Sequence, residues 1–196
     1  MAVWVFNAGD DTDASLVLDW EEENERLAIY TGTQVDLQGA GGSAFIRKLD
    51  AATGEELWMY SIRCGFDAGA NGGVTATPVV GKHDISDLVI FSVARVIGRG
   101  GGGLIIAFDK ETGDIVWEFI MPSFGWSSPV AVYTEDGKSY IIVSDSNGRM
   151  FMLRGTTGLE HHRINLGGNV EASPAVFGNM LVVGTRGQRI FGIEIK

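Results

Sequence analysis

The 196-residue sequence holds a single cysteine, Cys64. That excludes a disulfide within the chain and any zinc site built on several thiolates. Basic residues are also few: 15 Lys and Arg stand against 25 Asp and Glu, a net charge of −10. With no Lys/Arg cluster, neither a nucleic-acid backbone nor an anionic membrane surface is an expected partner. Apolar runs are short, Leu104–Phe108 among the longest, and none approaches the ~20 residues of a membrane-spanning helix. Met1–Asp10 has neither a basic start nor a cleavage site, so no signal peptide is read there. Proline is scarce, at 4 residues. No stretch shows a long helical period, and Asp19–Arg26 reads as an enlarged, solvated hairpin turn rather than a helix or a calcium loop.

Glycine is abundant, with 28 residues, about twice the usual share. Set among β-branched and aromatic residues, it predicts many tight turns between short strands, an all-β chain. Aligning the chain with itself shows why. Asp50-Ala-Ala-Thr53-Gly54 is followed by Trp58, and Asp109-Lys-Glu-Thr112-Gly113 by Trp117. Arg154-Gly-Thr-Thr157-Gly158 is a worn copy with His162 in the tryptophan place. Upstream of the second, third and fourth units stand Thr77-Pro78, Ser128-Pro129 and Ser173-Pro174, spaced by 51 and 45 residues. This is the period of WD-like propeller blades. An Asp or Thr side chain can bond nearby backbone N–H groups, while the glycine supplies the positive φ of a tight hairpin.

Counted in four-stranded antiparallel units, blade one covers 14–62, blade two 74–121 and blade three 127–166. Residues 172–196 supply only three strands of blade four. Residues 1–9, with Trp4, read as the outer strand of a closing blade. The expected pairing is Val3–Asn7 antiparallel beside Arg189–Ile195, within one chain or across two. An uncovered sheet edge there would invite aggregation. The chain therefore counts as four blade-equivalents, read as half of an eight-bladed ring: a piece of a longer protein or one of two paired copies, ahead of a four-bladed monomer.

The Ala107-Phe108-Asp109…Thr112-Gly113…Trp117 run and the Ser-Pro starts resemble the PQQ-like (quinoprotein dehydrogenase-like) β-propeller repeat, over essentially the whole chain. The resemblance implies a periplasmic or extracellular, bacterial setting. Dehydrogenases of this family hold PQQ against a disulfide of adjacent cysteines, with calcium and a catalytic Asp. Here that disulfide cannot form and no catalytic motif is found, so no catalytic residue, cofactor or metal site is expected. Non-catalytic members include the bacterial barrel-assembly lipoprotein, which binds partners through loops. A fragment of a PQQ- and calcium-dependent enzyme, completed by other blades, is the alternative reading.

Other chemistry is thin. His161 and His162 are neighbours on one strand and point to opposite faces. His83 lies in a turn with Asp84 and Asp87, and Gly100–Gly103 reads as a hairpin tip without the elements of a phosphate loop. Loop length gives a candidate site instead. The connections Gly32–Gly42, Arg63–Gly73 and Arg95–Gly103 are long and open on one propeller face, carrying Asp36, Asp67, Asn71, Arg95 and Arg99, with Trp126 beside them. Long loops on a rigid scaffold are where binding usually resides. The expectation is a binding module for a protein or a saccharide.

Overall fold

In the computed structural model, which describes residues 1–66, 69, 71–100 and 102–195, the chain forms four antiparallel sheets. Blade one contains β1 (Val17–Glu21), β2 (Arg26–Gly32), β3 (Ser43–Asp50) and β4 (Glu56–Arg63). Blade two contains β5 (Val79–Val80), β6 (Leu88–Val93), β7 (Gly103–Asp109) and β8 (Ile115–Met121). Blade three contains β9 (Val130–Tyr133), β10 (Ser139–Ser144), β11 (Arg149–Arg154) and β12 (Glu160–Asn165). Blade four has three strands, β13 (Ala175–Phe177), β14 (Met180–Thr185) and β15 (Arg189–Glu194). Among the described residues no helix is long and apolar enough to cross a membrane.

Strand alternation puts apolar side chains on both faces of each inner sheet, and the blades stack through them. Tyr30 and Ile46 of blade one pack with Phe91, Ile106 and Phe108 of blade two. Ile90, Ile105 and Trp117 pack with Ile141 and Phe151 of blade three. Ile142 and Met150 pack with Leu181 and Val183 of blade four. Among the described residues no such cluster joins blade four to blade one, so the four blades form an open arc.

The repeat motif explains the stacking. Asp50 Oδ1 accepts the backbone N–H of Ala52 (2.8 Å) and Thr53 (2.9 Å), and Asp109 Oδ1 accepts those of Glu111 (2.9 Å) and Thr112 (2.8 Å). Gly54, Gly113 and Gly158 follow at φ +76, +74 and +69. Each lies under the indole of the preceding unit: a Cβ would sit 2.6 Å from Trp4 Cδ2, 2.8 Å from Trp58 Cγ and 2.7 Å from Trp117 Cδ2 respectively. Each indole also donates to a carbonyl in that turn: Trp4 to Ala51 at 3.0 Å, Trp58 to Lys110 at 3.0 Å and Trp117 to Gly155 at 2.8 Å. The outer strand of one blade is thus stapled to the turn of the next. A β-bulge recurs beside each turn, after Lys48, Ala107 and Met152. At the inner end, Thr77 N–H donates to Ser128 Oγ (3.0 Å) and Ser128 N–H to Ser173 Oγ (3.1 Å), so the Thr/Ser-Pro starts link neighbouring inner strands.

Three expectations need revision. Asp19–Arg26 spans a hairpin turn, but its Glu21 carboxylate is not solvated. Glu21 takes Lys48 Nζ at 2.6 Å and Arg26 at 2.8 Å beneath the surface. The glycines at 102 and 103 do not form a loose tip. A side chain at 102 would strike the Met121 carbonyl, so close backbone approach requires glycine there. Val3–Asn7 does not pair with β15 inside one chain, because Trp4 is anchored to blade one, at the far end of the open arc.

Candidate functional site

The long connections converge as expected. The β2–β3 loop, the β4–β5 linker and the β6–β7 loop are joined by backbone hydrogen bonds: Val35 N–H to Gly72 O (2.8 Å), Val74 N–H to Thr33 O (3.0 Å), Gly73 N–H to Ala94 O (2.9 Å) and Gly65 N–H to Arg95 O (2.8 Å). Three loops therefore make one knitted surface, with their backbone polar groups largely paired among themselves.

Asp10 organises its edge. Its carboxylate accepts the N–H groups of Asp36 (3.2 Å), Leu37 (2.9 Å) and Gln38 (3.2 Å), and the Gln38 side-chain amide (2.9 Å). Burial pushes its pKa up, but these donors together outweigh it and hold Asp10 below the usual carboxylate value. Beside it Asp11 is raised, by desolvation and by the adjacent Asp36 carboxylate.

A cation and two aromatic rings lie together beside these loops. Arg95 adopts a left-handed backbone at φ +55, uncommon for a side chain of its size. Its guanidinium lies 5.8 Å from the Phe124 ring centre, and Phe124 lies 5.0 Å from the Trp126 ring at 54°. All three are half-exposed. The linker that presents the rings is fixed by Ser146 N–H donating to Phe124 O (2.8 Å) and by the Ser123–Ser146 hydroxyl pair (2.6 Å). A half-exposed cation beside two tilted aromatic rings is the side-chain chemistry enriched at interaction hot spots.

The other expected residues separate. Asp36 lies at the Asp10 edge, and Asn71 is half-buried in the linker. Arg99 is engaged by Glu118 of β8, which raises its pKa. Asp67 lies outside the described residues. Phe124 and Asp10 were missed. An aromatic-Gly-aromatic linker was a readable signal for Phe124, whereas nothing local in the sequence marks Asp10.

Among the described residues no group of three His, Cys, Asp or Glu is placed to hold a metal ion. Cys64 is buried, its thiol pushed up to about 12 by desolvation, and it faces the Ile62 carbonyl.

Comparison with known proteins finds several similarities. Residues 101–196 match the family described as outer membrane protein assembly factor BamB. The chain is 29% identical over 168 residues to the serine/threonine-protein kinase AfsK of Streptomyces griseus, covering 76% of this chain and 18% of that one. It is 29% identical over 117 residues to subunit 1 of methanol dehydrogenase of Methylorubrum extorquens, covering 60% of this chain and 16% of that one. The crystal structure of BamB from Moraxella catarrhalis superposes with a TM-score of 0.67 at 19% identity, over 98% of this chain and 49% of that one. The chain thus spans less than a fifth of these two curated relatives and about half of the solved structure.

Proposed function

We propose that this chain, which is similar to the PQQ-like β-propeller proteins, is a non-catalytic binding module. It takes a protein partner on the knitted loop face, with Arg95, Phe124 and Trp126 as the contact centre. The observation that carries this reading is the half-exposed Arg95–Phe124–Trp126 cluster. It is supported by the backbone hydrogen bonds that hold the Arg95 loop and the Phe124 linker, which lower the ordering cost on binding. A saccharide, which also stacks on indole faces, is the other ligand class for this surface. The reading carries with it an extracytoplasmic, bacterial setting.

The test begins with a partner captured by the wild-type chain, followed by titration calorimetry of the purified pair. Arg95→Ala and Trp126→Ala should each weaken binding by about tenfold or more, the hot-spot range. Asp136→Ser, in a β9–β10 turn on the opposite face, should leave it unchanged. Equal affinity in all three variants would reject the site. Quinone absorbance retained after incubation with PQQ and calcium, then desalting, would instead favour the enzyme-fragment reading.

A further inference from the structure

One end of the chain holds a strand-like segment that belongs to no sheet, and the other holds a sheet short of its outer strand. In Val3–Gly9 exposure alternates residue by residue. Trp4, Phe6 and Ala8 are half-buried against blade one, while Val3 and Val5 remain 87% and 89% exposed. Ala8 O accepts from Arg47 Nη1 at 2.9 Å, and Arg47 lies over the Phe6 ring. Trp4 is stapled to the Asp50–Gly54 turn as Trp58 and Trp117 are to theirs. By that equivalence the segment is the outer strand of a blade preceding blade one.

At the far end, β15 has no fourth strand among the described residues. Beside it lies a groove of roughly 520 Å³ whose walls include Met152, Ile164 and Ile193. Ile190, on the opposite face of β15, is 81% exposed. At blade one Leu18 and Trp20 are exposed on the face turned away from blade two.

We propose that two copies of this chain close one eight-bladed ring, each lending its N-terminal segment as the fourth strand of the other's blade four. The register follows from the complete blades, where the outer-strand indole or its substitute stands opposite the residue two before the turn's first position: Trp58 opposite Lys48, Trp117 opposite Ala107, His162 opposite Met152. Carried to β15, it sets Trp4 opposite Gly192 and Val5 opposite Phe191 of the second copy. Val3 and Val5 then face the apolar groove. Leu18 and Trp20 face the exposed side of the second copy's blade four, with Phe177 and Ile190. Ser15 stands where Ser128 and Ser173 do in their blades, and in the second copy it meets Ser173 N–H. A two-fold axis makes both seams identical, and the open edges of β15 disappear at once.

Light scattering on the purified chain at micromolar concentration should give a mass twice 21.0 kDa; a mass of 21.0 kDa overturns the proposal. Val5→Pro removes a ladder N–H at a position outside every core cluster, so circular dichroism should be unchanged. Its dimer dissociation constant should rise at least about 100-fold, the equivalent of losing a few strand contacts. A Val5→Pro chain that dimerises like wild type rejects strand exchange. Chains carrying Val5→Cys mixed with chains carrying Phe191→Cys should oxidise to a disulfide-linked pair. A non-covalent dimer that gives no such product places the interface elsewhere and overturns the register.

Discussion

Gly158→Ala tests the staple quantitatively. Gly158 sits at φ +69, where an alanine costs about 1 kcal/mol for its left-handed backbone. The new Cβ would also lie 2.7 Å from Trp117 Cδ2, so the ring must withdraw. Trp117 is 7% exposed and donates to Gly155 O at 2.8 Å. Withdrawal forfeits that hydrogen bond, about 1 kcal/mol, and disturbs packing worth another 1–2 kcal/mol. The expected total is about 3–4 kcal/mol. Gly167 provides the control, with φ +72 and nothing within 4 Å of a built Cβ. Gly167→Ala should cost about 1 kcal/mol, the backbone component alone. Urea titration followed by tryptophan fluorescence and far-UV circular dichroism measures both. In a Trp117→Ala background the Gly158→Ala cost should fall to about 1 kcal/mol, a coupling of about 2–3 kcal/mol. Equal costs for the two glycine variants, or strict additivity with Trp117→Ala, would refute the staple.

Two further outcomes follow from buried groups. Glu21→Gln leaves Lys48, fully buried, with the Lys110 carbonyl at 2.7 Å and without its 2.6 Å carboxylate partner. It should cost about 3 kcal/mol at neutral pH, as when one member of a buried pair is removed. Burial raises the Glu21 pKa, but hydrogen bonds from Lys48 and Arg26 outweigh it and hold the carboxyl below its usual value. Its stabilisation is therefore complete above the ordinary carboxylate pKa and lost as pH falls through the lowered folded value. The difference between wild type and Glu21→Gln should shrink in acid, which denaturant titrations across pH would show. Cys64, with its thiol pushed up to about 12, should react with a thiol reagent at pH 8 only at the rate of unfolding. Rapid labelling of the native chain would contradict its burial.

The blades were legible because their signals are local. Asp50, Thr53, Gly54 and Trp58 lie within nine residues, and each acts on backbone close by or on the next turn. The convergence of the long loops was legible too, since loop length and strand order place them on one face. Side-chain pairing was not. The Asp10 carboxylate reaches a loop 26 residues away, and Lys48 reaches a carbonyl 62 residues away. Such partners are fixed by how neighbouring blades dock. Arg99 and Glu118 illustrate the same limit: the sequence placed Arg99 with Arg95 on a loop, while the fold set it against the outer strand. Glu21 looked like part of a solvated acidic run because three more acidic residues follow it nearby, and only the inward face of β1 distinguishes it.

The indole staples point in one direction along the arc, each gripping the turn of its successor, and the series weakens as it proceeds. Blade three offers His162 where the others offer tryptophan. Cohesion in such a serial assembly is the sum of neighbour contacts, so protection against amide exchange should decline from the middle blades toward the carboxyl terminus. In an isolated chain, unravelling would begin at β13–β15 and travel backwards, like a zipper opened from its unhooked end.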